Sequence, residues 1–147
     1  MTFLNYTPPQ KRLQILEARL SGAPAVNGYY TFHSNVLDNF DSGAVPTGFN
    51  SETLTLSPGH YIVRAFFSIT RTNTQFNCAY QFELDGNLVG KYGTTGMYIN
   101  RRNDVADAVV SNLNSTLSLK LKCLNIENTH PTLDAESRIY IWRTDPT

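Results

Sequence analysis

An antiparallel β-sandwich or jelly roll, led in by one short helix, is the fold that this sequence of 147 residues predicts. Three observations predict it. Apolar residues recur with a period of two in several runs beyond residue 22, clusters of Pro, Gly, Asn and Asp separate those runs, and no second run has helical spacing. The runs amount to about seven or eight short strands, the pattern of a sandwich or barrel. A parallel sheet would alternate its strands with helices.

The elements follow in chain order. Thr7-Pro8-Pro9-Gln10 has the form of a capping box, with Thr7 at the cap, a proline at the first helical position and Gln10 able to reach back. From there Leu13, Ile15, Leu16, Ala18 and Leu20 include an i, i+3, i+7 stripe (Leu13, Leu16, Leu20), and Gly22 with Pro24 beyond it is a stop signal. The expected element is a helix over about residues 8–21. So short a helix is marginal alone in water, and its stripe needs a partner. That partner is either the helix's own domain or a neighbouring subunit or larger particle. The second choice makes residues 1–25 an N-terminal arm and residues 26–147 the β domain, with Leu13, Leu16 and Leu20 as the attachment stripe.

Beyond Gly22 the alternation takes over. Tyr61, Val63, Ala65, Phe67 and Ile69 occupy one phase of a run whose other phase is Ile62, Arg64, Phe66, Ser68 and Thr70. Cys78, Tyr80, Phe82 and Leu84 alternate with Ala79, Gln81, Glu83 and Asp85; Leu117, Leu119, Leu121 and Cys123 alternate with Ser118, Lys120, Lys122 and Leu124; Ile139 and Ile141 alternate with Tyr140 and Trp142. Each run reads as a strand with one face to the core. Turn signals separate them: Ser57-Pro58-Gly59, Asp85-Gly86-Asn87, Gly93-Thr94-Thr95-Gly96 and Asn112-Leu113-Asn114. Asp85-Gly86 is a hairpin signal because both residues accept positive φ.

The phase opposite the core of an antiparallel sheet is ordinarily polar. Here it carries Ile62 and Phe66 around Arg64, and Tyr140 with Trp142. Such a patch marks an association surface.

Composition excludes several functions. Twelve basic residues balance 12 acidic ones, and only 16% of residues are charged, while 16 Thr, 14 Asn and 10 Ser supply neutral polarity. Without a basic cluster the chain lacks the footprint of a nucleic-acid binder. No apolar run approaches the roughly 18 residues of a membrane-spanning helix. Lys11, Arg12, Glu17 and Arg19 interrupt what would be the apolar centre of a secretory signal, so synthesis and folding in a cytoplasm are expected. In such a reducing compartment the two cysteines, Cys78 and Cys123, are expected to be buried thiols, with a bond between them the alternative.

A family resemblance rests on four stretches. Ser57-Pro58-Gly59-His60-Tyr61-Ile62-Val63-Arg64-Ala65-Phe66-Phe67-Ser68-Ile69 resembles the proline-glycine-x-tyrosine strand of the tumour necrosis factor and complement globular head superfamily. Tyr80 to Val89 is similar to its next hairpin, Ala106–Val110 with Leu117–Leu121 to its paired strands, and Ser137–Trp142 to its closing strand. The resemblance covers roughly residues 26–143. It implies a jelly roll of about eight to ten strands assembled as a homotrimer about a threefold axis. The trimer side it implies is the outward phase already picked out, Ile62, Arg64, Phe66, Tyr140 and Trp142, with Tyr30 and Phe32 beside them.

Catalytic and metal signals are weak. His33, His60 and His130 are far apart and lack metal-ligand spacing, which makes them surface or loop histidines. Asp38-x-x-Asp41 and Asp104-x-x-Asp107 do not form a contiguous calcium loop, although some members of the resembled family hold calcium near the trimer axis. No phosphate-cradling loop or nucleophile elbow occurs. The expectation is a protein that is not an enzyme and has no cofactor and no metal. Its expected role is a virion structural protein: a trimer that decorates or cements the outer surface of a bacteriophage capsid by binding the major capsid protein or another virion protein. The alternative is a trimeric fibre-tip or lectin-like module that recognises a receptor or glycan.

Overall fold

The computed structural model describes residues 14–38, 40, 46–70, 77–95, 101–112, 114–127 and 133–144. Nine strands are present among them: β1 (Gln14–Ser21), β2 (Thr31–Asp38), β3 (Leu54–Leu56), β4 (Gly59–Thr70), β5 (Asn77–Leu84), β6 (Asn87–Thr95), β7 (Arg101–Asn112), β8 (Leu117–Glu127) and β9 (Arg138–Arg143). They form two antiparallel sheets, one of five strands in the order β2-β1-β9-β4-β7 and one of four in the order β3-β8-β5-β6. The inward faces meet in one core, as expected for a sandwich in which each sheet must bury its apolar face.

The expected alternations are realised. Tyr61, Val63, Ala65 and Phe67 of β4, Cys78, Tyr80 and Phe82 of β5, Leu117, Leu119, Leu121 and Cys123 of β8, and Ile139 and Ile141 of β9 are all buried. Asp85 and Gly86 turn between β5 and β6 with φ of 47° and 88°, the double positive φ that a two-residue hairpin requires. Aromatic rings fill the centre. Tyr30 meets Phe67 edge-on at 5.0 Å, and Phe67 lies 3.8 Å from Tyr80 between centroids.

Four expectations are corrected. The helix expected over residues 8–21 is strand β1 over Gln14–Ser21; residues 8–13, Leu13 among them, lie outside the described residues. Gln14, Leu16, Ala18 and Leu20 are buried, so the period is two, and the helical stripe was a coincidence of Leu16 and Leu20 fitting both periods. Two flanking ladders decide the matter: β1 pairs with β2 on one side and with β9 on the other, opposing Leu16 to Ile141 and Ala18 to Ile139. An arm ending at residue 25 therefore cuts through the five-stranded sheet. Gly93, Thr94 and Thr95 are not a turn but the end of β6, opposite Tyr80, Ala79 and Cys78. The stretches Ala106–Val110 and Leu117–Leu121 are not paired with each other, because β7 and β8 belong to different sheets.

Two local features fix the sandwich. Gly90, at φ 75°, sits so close to β7 that a Cβ would lie 2.1 Å from the Asp107 carbonyl oxygen, so only glycine lets β6 pass there. Ser137 ties the segment before β9 to β4. Its hydroxyl accepts from the Ser68 N–H at 3.0 Å and donates to the Ser68 carbonyl at 3.1 Å.

Candidate association surface

The outward face of the five-stranded sheet is organised in rows that cross the strands. The register opposes Ile15 to Trp142, Trp142 to Ile62 and Ile62 to Val109, so four apolar side chains run in line across β1, β9, β4 and β7. Ile62 is 37% exposed and Val109 76%. The next row is polar: Glu17, Tyr140, Arg64 and Asp107. The third row comprises Arg19, Arg138, Phe66 and Val105. Directly opposed side chains on one face are near neighbours, which is why register alone assembles these rows.

The polar row is internally paired. Arg64 lies 3.4 Å from the Asp107 carboxylate, and both are substantially exposed. An exposed pair of this kind contributes little stability by itself. Tyr140 donates to Glu17 at 3.1 Å, and Arg138 lies 3.6 Å from the same carboxylate. Partial burial and then the bond to Glu17 raise the Tyr140 phenol above its ordinary pKa. The Tyr140 and Trp142 rings stack at 5.7 Å between centroids. A cleft of about 330 Å³, lined by Ile62, Arg64, Gly90, Lys91, Asp107 and Val109 among others, borders the β7 end of the rows.

Of the residues expected at a trimer face, Ile62, Arg64, Phe66, Tyr140 and Trp142 do come together on this surface. Tyr30 and Phe32 do not; both are fully buried between the sheets. The segment before β2 runs along β8, where the Tyr30 N–H donates to the Leu121 carbonyl, before the chain crosses to the five-stranded sheet. That path turns both rings inward. Leu16 and Leu20, expected as attachment residues, are 0% and 3% exposed and belong to the core. Ile15, Glu17, Val105, Asp107 and Val109 belong to the surface but were not singled out from the sequence. Their signal was available: Val105, Asp107 and Val109 alternate with Ala106, Ala108 and Val110.

The four-stranded sheet carries a second, polar feature. A groove of about 470 Å³ is lined by Tyr29, Thr53, Glu83, Asp85, Gly86, Ser118 and Lys120. Lys120 lies over the Tyr29 ring at 4.6 Å, and Lys122 lies 3.7 Å from Glu83. A hydrogen bond to Glu83, and then burial, raise the Tyr29 phenol above its ordinary pKa.

Other candidates stay apart. His33 is bonded to the Ser21 hydroxyl and His60 to that of Ser111; neither pair lines either groove. His130, Asp41 and the side chains of Asp38 and Asp104 lie outside the described residues. Among the described residues no three His, Cys, Asp or Glu side chains gather where a metal ion could be held. No helix among them is long and apolar enough to cross a membrane.

The strand order now permits comparison with known structures. The chain is similar to the globular domain of a zebrafish complement 1qA protein, at a TM-score of 0.62 and 9% identity, over 92% of this chain and 100% of that one. The shared fold is a two-sheet antiparallel jelly roll. Murine APRIL is similar at a TM-score of 0.60 and 9% identity, over 90% of this chain and 99% of that one. At such identities the likeness is one of fold. No protein-family model and no curated protein matches the sequence.

Proposed function

We propose that the chain is a non-enzymatic binding module that assembles as a homotrimer, burying the outward face of its five-stranded sheet between copies. The observation that carries this reading is the apolar row Ile15–Trp142–Ile62–Val109, whose outermost member is 76% exposed. In a lone chain this row faces water. Apposed copies would desolvate it, at roughly 1.5–3 kcal/mol for each aliphatic side chain fully covered. The flanking Arg64–Asp107 and Glu17–Arg138 pairs would enter an interface already neutralised, which limits the cost of desolvating charge. The test is the mass of the purified chain by light scattering at micromolar concentration. A trimer supports the reading, and a monomer overturns it.

The setting expected from the sequence, the outside of a phage virion after synthesis in the host cytoplasm, belongs to the same proposal. A decoration protein could not attach through Leu16 and Leu20, which are core residues. Its contact with a capsid protein would instead use the surface left outside the trimer. One observation favours the alternative of a receptor- or glycan-recognising module. The Tyr29–Glu83–Lys120 groove lies on the sheet opposite the proposed trimer face and combines an aromatic ring with carboxylate and ammonium groups. A glycan array separates the two. Binding that Tyr29→Ala abolishes marks the recognition module, whereas co-purification with capsids at fixed stoichiometry, unaffected by Tyr29→Ala, marks the decoration protein.

A further inference from the structure

The two cysteines of the chain share one spot in the core. Cys78 of β5 and Cys123 of β8 are 45 positions apart in sequence, yet their Sγ atoms are separated by 3.9 Å. Both are buried and both are free thiols in the structure. β5 and β8 are hydrogen-bonded neighbours, with Tyr80 opposite Cys123 and a register shift between Ala79 and Tyr80. Cys78 lies two residues from Tyr80 along β5, which puts it diagonal to Cys123, and both side chains are buried. A disulfide needs its sulfurs about 2.05 Å apart, so rotation of the two side chains toward each other must close roughly 1.9 Å. A bulged strand has the local freedom to accommodate that motion.

We propose that Cys78 and Cys123 are an intramolecular disulfide-forming pair, oxidised by exchange with a small-molecule disulfide such as oxidised glutathione. The bond would tie β5 to β8 and close a loop that contains β6 and β7, and so strands of both sheets. The two sulfurs are chemically unequal. In the closed core the hydrogen bond from the Cys78 thiol pulls the Cys123 thiol below its ordinary pKa, while the same contact, and then burial, push that of Cys78 up. In the opened chain either sulfur can attack first, and both orders give the same product; in one of them Cys123 leads. Its thiolate bonds to one sulfur of glutathione disulfide, and the first glutathione leaves as a thiolate that takes up a proton. Cys78 then gives up its proton, and its sulfur displaces the second glutathione from Cys123. Two protein thiols become one disulfide, and one glutathione disulfide becomes two glutathione thiols.

Because both sulfurs are shielded, exchange runs through local opening or during folding, not on the closed sandwich. The pair lies inside the core, away from the outward rows, so this inference stands whether or not the chain is a trimer.

The experiment is to refold the full chain from its reduced, denatured state in a glutathione redox buffer. Remaining thiols are then alkylated under denaturing conditions and the protein is weighed. The expected product carries no alkyl group, lacks two hydrogens, and loses roughly 10 °C in Tm on reduction. Cys78→Ala should trap Cys123 as a mixed disulfide with glutathione, which adds one glutathione to the mass. A wild-type chain that alkylates at both cysteines, that stays a mixed disulfide, or that links to a second chain overturns the proposal. The wild-type mass decides the question by itself if Cys78→Ala fails to fold.

Discussion

Truncating Leu16 to Ala separates a strand built into the sandwich from an attachment arm. Leu16 is 0% exposed and its backbone is opposed to both Ile141 of β9 and Asp38 of β2, so its side chain is enclosed by the core and its neighbours cannot easily collapse onto the gap. Leu→Ala at such sites combines lost transfer energy with a cavity term, about 2.7–5.0 kcal/mol in a well-studied core series. We expect a loss of about 3–4 kcal/mol, which with a urea slope of roughly 2 kcal/mol/M lowers the midpoint by about 1.5–2 M. Urea unfolding followed by far-UV circular dichroism, at one fixed protein concentration so that association contributes equally, is the assay. Leu20→Ala should behave alike, while Arg19→Ala, an exposed neighbour, should shift stability by no more than about 0.5 kcal/mol. Leu16→Ala and Leu20→Ala both falling within about 0.5 kcal/mol of wild type would refute the placement of β1. Deleting residues 1–22 removes a strand that lies between β2 and β9, and should therefore leave no folded domain to assemble.

Val109→Glu places a charge at the end of the apolar row and should convert trimers to monomers with an unchanged far-UV spectrum; a trimer of normal mass would remove that row from the interface. Gly90→Ala should cost more than about 3 kcal/mol, since it adds a backbone clash to the strain of a positive φ. Gly86→Ala has a φ of 88° but nothing within 4 Å of the new Cβ, and should cost only about 1–2 kcal/mol in the same urea assay. Ser137→Ala leaves the buried Ser68 N–H without its hydroxyl acceptor, for an expected loss of about 1–3 kcal/mol. Burial raises the phenol of Tyr30, burial and then Glu17 raise that of Tyr140, and Glu83 and then burial raise that of Tyr29, each from an ordinary 10.0. Above about pH 10 the unfolded chain has therefore lost protons that the folded chain keeps. Their contribution is complete below that pH and falls as pH rises further, so Tm should decline from about pH 10 upward, with phenolate absorbance lagging behind that of the denatured protein.

Much of this architecture was legible because its strands are half-buried. Alternation in Tyr61–Phe67, Cys78–Phe82 and Leu117–Cys123 states which phase faces the core without reference to any partner. Asp85-Gly86 likewise declares its hairpin through the φ values those two residues tolerate. β1 was harder to read. Leu16 and Leu20 satisfy a helical and a strand period together, and the capping pattern at Thr7–Gln10 favoured the helix. The ladders with β2 and β9 resolve the ambiguity, and they are contacts with residues up to 129 positions away, Gln14 with Arg143.

The sequence by itself determined an all-β chain, the inward phase of most of its strands, and an outward phase of unusual apolar content at Ile62, Phe66, Tyr140 and Trp142. It did so because side-chain direction along a strand depends only on the parity of position. Tertiary structure alone decided which outward residues stand together. Val109 completes the row of Ile62 and Trp142 only through the registers of β7 with β4 and of β4 with β9. It also sent Tyr30 and Phe32 inward and brought Cys78 within reach of Cys123, because a chain that crosses between sheets acquires its facing from the strands it meets.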